Sequence, residues 1–267
     1  MVTKPEFNST EKHVQLLKAA LNLRQGGEYT EALNLLEKVV QIKPDYLFAY
    51  IFLGLTYQAV DRKPDAVRAF RNALMIDPNS SEALQGLGLL LLSQDRLPEA
   101  LGYLIKHLQI DPANAPTLNV LIPALINAQR YEEAEKILMA AWDKTQDADI
   151  ARRYARFLLS IQQIEKAQSF LKKAIEVTTT PHLLVELALT QVIEGTYQDA
   201  IDTLHQALSI RPDYDRALRG LAHCYTQLND GDKAIEIAER ALAVDPRHYR
   251  NWQAKGDALI LTQRFDE

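Results

Sequence analysis

The stretch LFAYIFLGLTYQAV (residues 47–60), followed by Ala66, Phe70, Ala73 and Pro78, decides how this chain is read. Tyr50, Leu53, Gly54 and Tyr57 fall at i, i+3, i+4 and i+7, which is one face of a helix, and Ala66, Phe70 and Ala73 mark a second stripe. Between the stripes, Asp61 to Pro64 is a run of turn-forming residues. Pro78 has no N–H and cannot carry the second helix further. The stretch therefore predicts a helix, a turn and a second helix.

The same arrangement recurs. IKP (42–44), IDP (76–78), IDP (110–112), IRP (210–212) and VDP (244–246) are spaced by 34 residues, or by 100 across the middle of the chain. Alanines 32, 66, 100, 134, 167, 200 and 234 keep a second, independent beat of 34 or 33 residues. Turn signals fall between the helical stripes, at Gly26-Gly27, Asp95 to Pro98 and Asp230-Gly231. No alternating, strand-like pattern competes with them.

A period of 34 residues carrying Leu or Trp, Leu-Gly, Tyr, Ala, Phe or Leu, Ala and Pro in that order resembles the tetratricopeptide repeat family. Repeats starting at residues 13, 47, 81, 115, 148, 181, 215 and 249 give seven complete units and the first helix of an eighth, after a lead of residues 1–12. The resemblance implies an all-α fold, a right-handed α-solenoid of antiparallel helix pairs. Its concave face would be lined by the first helix of each pair. Small residues have a mechanical reason in such an array. Gly54, Gly88, Ala155, Ala188, Ala222 and Gly256 stand where two helices of a pair cross, and the periodic alanines stand where the next repeat packs. A larger side chain at either place would push helices apart.

Bulk properties narrow the function classes. The chain has 267 residues, is 47% hydrophobic and 24% charged, and carries a formal net charge of -5. Basic and acidic residues number 15 and 17 up to residue 146 and 15 and 18 after it, so neither end is a charged tail. A sequence pI near 5.7 argues against general nucleic-acid binding, which needs surplus Lys and Arg on phosphates. No apolar run approaches the roughly 20 residues of a membrane-spanning helix. A single cysteine, Cys224, excludes an internal disulfide and fits a cytoplasmic protein. There is no phosphate loop, HExxH, GxSxG or CxxC, and no close histidine pair. The expectation is therefore a protein that is not an enzyme and uses no cofactor or metal. Cys224, beside small Ala222 on a packing face, reads as a buried structural thiol.

The register also shows which side chains a groove would present, at positions 2, 5, 6, 9, 12 and 13 of each first helix. In the first four repeats these positions include Leu17, Leu21, Phe48, Ile51, Phe52, Leu55 and Leu89, an apolar set. In the later ones they include Arg152, Arg153, Arg156, Arg216, Arg219, His223 and Arg250, a basic set diluted by Asp149, Glu186 and Asp257. The asparagine ladder of glycosyltransferase-linked arrays and the Lys/Asn clamp of heat-shock cochaperones are absent at these positions. The family resemblance then implies a scaffold that holds a peptide or partner protein, with apolar anchors toward the first repeats and an acidic segment toward the later ones. Arginine suits that role because its fork pairs bidentately with carboxylates. The chain itself would be monomeric or weakly self-associating through its repeat ends. A recruitment arm of a larger enzyme, with its catalytic domain beyond residue 267, is the rival reading, and a structural array that self-associates is a third.

The pattern lapses in places. The closing proline is replaced by Gln146 and Thr179, and Pro123 sits inside a first helix, where it removes one ladder hydrogen bond. A kink or change of curvature is expected over residues 115–181. His107 stands where the family prefers alanine and reads as a packing adjustment. The last helix looks interior, and RFDE (264–267) repeats RYEE (130–133), so the chain is expected to be part of a longer repeat protein.

Overall fold

The structure, a computed structural model, describes residues 9–263. Among them are fifteen α-helices and no strand. The first helices of successive repeats are α1 (Ser9–Gln25), α3 (Leu47–Ala59), α5 (Ser81–Leu92), α7 (Ala115–Asn127), α9 (Ala148–Ser160), α11 (Pro181–Ile193), α13 (Asp215–Gln227) and α15 (Tyr249–Leu261). The second helices are α2 (Tyr29–Ile42), α4 (Lys63–Ile76), α6 (Leu97–Ile110), α8 (Tyr131–Thr145), α10 (Ile164–Val177), α12 (Tyr197–Ile210) and α14 (Gly231–Val244). The fold is an all-α repeat solenoid. Helix α1 begins at Ser9, so part of the stretch read as a lead is already helical. Residues 264–267, which carry the RFDE motif, lie outside the described residues.

One turn geometry sets the beat. Gly27 (φ 82°), Asp61 (57°), Asp95 (58°), Gln129 (58°), Gln162 (60°), Gly195 (77°), Asn229 (60°) and Gln263 (56°) are left-handed, one for each repeat. After each of α3, α5, α9 and α13 the left-handed residue lets the chain fold back, and the next N–H returns to a carbonyl five residues earlier. Arg62 donates to Tyr57 O at 2.8 Å, Arg96 to Leu91 O at 3.1 Å, Gln163 to Leu158 O at 2.9 Å and Asp230 to Tyr225 O at 2.9 Å. This closes orphan carbonyls at the end of one helix. The same residues, Arg62, Arg96, Gln163 and Asp230, are the N-caps of the following helices. One tight turn thus ends one helix and starts its antiparallel partner.

The other end of each pair relies on extended backbone. Lys43, Asp77 and Asp245 end their helices at φ -136°, -133° and -139°, and each precedes a proline, which disfavours helical geometry in the residue before it. Thr178 takes the same shape (φ -145°) without a proline after it, and the Thr180 side chain caps the next helix at Leu183 N. The fourth repeat solves the problem differently. Gln146 turns left-handed (φ 48°), and Asp147 caps α9 through Asp149 N and Ile150 N. Helix α7 runs through Pro123, whose exposed ring replaces one ladder bond without ending the helix.

Packing follows the alanine beat: Ala32, Ala66, Ala100, Ala134, Ala167, Ala200 and Ala234 are all wholly buried. At the crossing positions, a methyl group added to Gly54 would lie 2.6 Å from Phe70 Cε1, and one added to Gly86 would meet the same atom at 2.6 Å. Phe70, fully buried, is therefore held between glycines of two successive first helices. Gly88 is filled in the same manner by Leu104. Gly256 departs from this role, because nothing stands within 4 Å of its missing side chain. His107 is buried and meets Ser81 Oγ through Nδ1 at 2.9 Å, a contact inside its own repeat. The chain forms two compact bodies, Met1–Ile137 and Leu138–Glu267. Their boundary falls within α8, in the stretch where the closing prolines are missing.

Two glycine replacements should separate packing from propensity. Gly54→Ala is expected to lower unfolding free energy by about 1–3 kcal/mol, because Phe70 has no room to retreat. Gly102→Ala, in an exposed part of α6 with nothing within 4 Å, should raise it by about 0.5–1 kcal/mol. Denaturant melts of the two variants read both signs.

Candidate functional site

The second body carries an open cleft of about 410 Å³ across α11, α13 and α15. Helix α13 forms its floor with Arg216, Arg219, Gly220, His223 and Thr226. Val185, Ala188, Leu189 and Val192 of α11 make an apolar wall, and Arg250, Gln253, Ala254 and Asp257 of α15 make a polar one. Leu204 of α12 backs the floor at Gly220, where an added methyl group would meet its side chain at 3.2 Å. Apart from Ala188 and Leu204, the lining residues occupy positions 2, 5, 6, 9 and 12 of three successive first helices. These positions share a helix face because three- and four-residue steps return to the same side. Leu189 is 41% exposed in this wall, and Ile193, just beyond it, is 49% exposed.

The arginines of the floor are not equivalent. Arg216 Nη2 donates to Glu186 Oε1 at 3.2 Å, and Glu186 is fully buried with its Oε2 unpaired. Arg219 Nη2 pairs with Asp215 Oδ2 at 2.9 Å one turn earlier on α13, while its Nε is buried without an acceptor. Arg250 is exposed and meets no carboxylate among the described residues. Its Nε donates to the Tyr249 hydroxyl at 2.9 Å, and its guanidinium lies 5.7 Å from that ring. Arg216, Arg219 and Arg250 are matched in number by the carboxylates of Glu186, Asp215 and Asp257, so the arginines by themselves bring no surplus of positive charge to this cleft.

The remaining sequence-derived residues are dispersed. Arg152, Arg153 and Arg156 lie on α9 and do not line the cleft. Arg152 Nη2 is held by Asp149 at 3.0 Å, Arg153 is engaged, and Arg156 is exposed. In the first body, Leu17 and Ile51 are core residues, 8% and 3% exposed, and so are not presented to a guest as their register suggested. Ile51 packs with Ala73 and Ala83, because the neighbouring repeat closes over it, and Leu55 lies against the same cluster. Leu21, Phe52, Leu55 and Leu89 are half-buried, while Phe48 is 51% exposed with its ring edge on Tyr46. The apolar wall of Val185, Leu189 and Val192 was absent from the sequence-derived set. The same register positions read in the sixth repeat would have found it.

The tetratricopeptide repeat profile matches residues 23–87, 91–152 and 191–259, most of the chain. This chain belongs to the tetratricopeptide repeat family. That family fold supports a protein-interaction scaffold. A stretch of 111 residues is 32% identical to the Protein CTR9 homolog of Arabidopsis thaliana, covering 40% of this chain and 10% of that protein. Another, of 136 residues, is 25% identical to the BBSome complex member BBS4 of Bos taurus, covering 51% of this chain and 25% of that one. The chain thus spans a tenth and a quarter of these relatives. The crystal structure of yeast Tom70 superposes with a TM-score of 0.55 at 20% identity, over 96% of this chain and 56% of that one. A structure of Naa15/Naa10 bound to HypK-THB gives 0.53 at 18% identity, over 92% and 39%. At such identities the likeness concerns the fold alone.

Among the described residues no cluster of His, Cys, Asp and Glu could hold a metal ion, and no helix is long and apolar enough to cross a membrane. Cys224 is wholly buried in the core of this tetratricopeptide array, and burial pushes its thiol from its ordinary 9.0 up to about 11. It is therefore a packing residue and a poor nucleophile at neutral pH. Because the unfolded chain ionises this thiol first, its contribution to stability is intact below about pH 9 and is lost as pH rises toward 11. Labelling with a thiol reagent at pH 8 should follow global unfolding, and Cys224→Ala should flatten the fall in denaturation midpoint between pH 9 and 11.

Proposed function

We propose that this tetratricopeptide chain is a non-catalytic, cytoplasmic interaction scaffold, and that its second body holds a short segment of a partner protein in the cleft of α11, α13 and α15. The observation that carries the reading is the cleft's division of labour. One wall offers the exposed aliphatic side chain of Leu189 beside half-buried Val192, the other offers hydrogen-bonding groups, and the floor is lined with arginine. Peptide sites combine an apolar surface with a few placed polar groups in this manner, in volumes from about 300 Å³ upward.

The segment's apolar side chains would lie on Leu189 and its neighbours, and an acidic group would face α15. In the first body, exposed Phe48 and the half-buried Phe52, Leu55 and Leu89 would offer an apolar contact of their own, and in the second body Arg156 would offer a further cationic one. Membership of a multiprotein assembly, which the name of BBS4 states for that protein, is in keeping with such a role.

Selection from a phage-displayed peptide library tests the reading. Recovered peptides should carry a large apolar residue near an acidic one, and Leu189→Asp should weaken them about tenfold or more without changing helicity. Recovery of the same peptides with equal affinity by the Leu189→Asp chain would sink it.

A further inference from the structure

Three arginines reach the cleft, but two already have carboxylates. Glu186 sits at position 6 of the sixth repeat and Arg216 at position 2 of the seventh, so the pair bridges α11 to α13 at 3.2 Å. Its carboxylate is entirely out of solvent, and a buried carboxylate deprived of its cation would carry a large desolvation penalty. Arg216 is therefore expensive to detach. Arg219 is held by Asp215 at 2.9 Å, and both side chains are mostly buried, 16% and 22% exposed. Of these three, Arg250 alone is exposed without a carboxylate partner among the described residues.

Resting on the peptide-binding reading, we propose that Glu186 and Asp215 act as internal occupants of the two inner arginines, so that the cleft accepts a segment bearing one carboxylate beside a large apolar side chain. The carboxylate pairs with Arg250 on the polar wall, and the apolar side chain lies on Leu189 and Val192 opposite. A guest with a doubly charged phosphate gains nothing over a carboxylate, because the cleft has no net positive charge to meet the second one and Asp257 stands on the same wall as Arg250. Glu186 is thus a specificity-setting residue that acts through Arg216 without touching the guest. Arg250 is the contact residue.

Fluorescence anisotropy with three labelled probes reads this out: a short peptide with the core Leu-Asp-Leu, its Leu-Asn-Leu counterpart, and its Leu-phosphoserine-Leu counterpart. The aspartate probe should bind about fivefold more tightly than the asparagine probe, as expected for one half-exposed ion pair. Arg250→Gln should erase that preference, and as a surface replacement it leaves the core intact. The phosphoserine probe should bind no more tightly than the aspartate probe. Glu186→Gln keeps an oxygen for Arg216 but removes its charge, and should tighten the phosphoserine probe about threefold or more. Thermal melts establish that this variant is folded.

Equal binding of the aspartate and asparagine probes to the native chain, or an aspartate preference that survives Arg250→Gln, overturns the assignment while leaving peptide binding standing. A phosphoserine probe that binds the native chain tenfold more tightly overturns the role of the internal carboxylates. If no probe binds at millimolar concentration, the inference fails, and library selection with Leu189→Asp shows separately whether the peptide-binding reading fails with it.

Discussion

Everything in this fold depends on how closely two helices can approach where one repeat meets the next. At each such place the chain puts an alanine that is wholly out of solvent, and at several crossings a glycine, so that backbones come near and one large side chain fills the remaining space. Phe70 shows the economy of the arrangement, since one ring serves two glycines on successive first helices. Burial of one such ring is worth about 1.5–3 kcal/mol. Its partners must be small for that gain to be realised. Stability in the array is therefore a sum of neighbour contacts, and no single centre holds the whole chain.

The cleft is a by-product of the same constraint. When small residues bring α11, α13 and α15 together on one side, positions 2, 5, 6, 9 and 12 are left facing open space. Their chemistry is then free to vary. The sixth repeat carries Val185, Leu189 and Val192 there beside His182 and Glu186, the seventh two arginines, a glycine, His223 and Thr226, and the eighth Arg250, Gln253 and Asp257 beside Ala254 and Ile260. Glu186 and Val185 are nonetheless buried, and Glu186 meets Arg216 of the next first helix.

The period, the helix pairs and the buried alanines were legible in the sequence because they depend on spacing alone. The register also located the faces that line the cleft. What it did not carry was the state of each side chain on that face. Leu17 and Ile51 share their register with exposed neighbours but are covered by the adjacent repeat, and coverage depends on the angle between helices. The cleft's charge balance was equally hidden, because Glu186 and Arg216 are 30 residues apart and meet only after α11 and α13 pack. Gly256 looked like a crossing residue by position, yet nothing packs on it within the described structure. Sequence spacing reports which residues share a face, and packing decides what that face can do.

The left-handed turn residue has a consequence for how the protein is made. At seven of these turns, among the described residues, the N–H after the left-handed residue closes on a carbonyl five residues earlier, so a helix pair can shut as soon as its own stretch has left the ribosome, without waiting for distant sequence. Six of the eight turn residues are not glycine; Asp61, Asp95 and Asn229 are of the types that accept that backbone at modest steric cost, and Gln129, Gln162 and Gln263 take it as well. A nascent chain built in this way lengthens one closed hairpin at a time, and leaves little unpaired backbone exposed to its neighbours during synthesis.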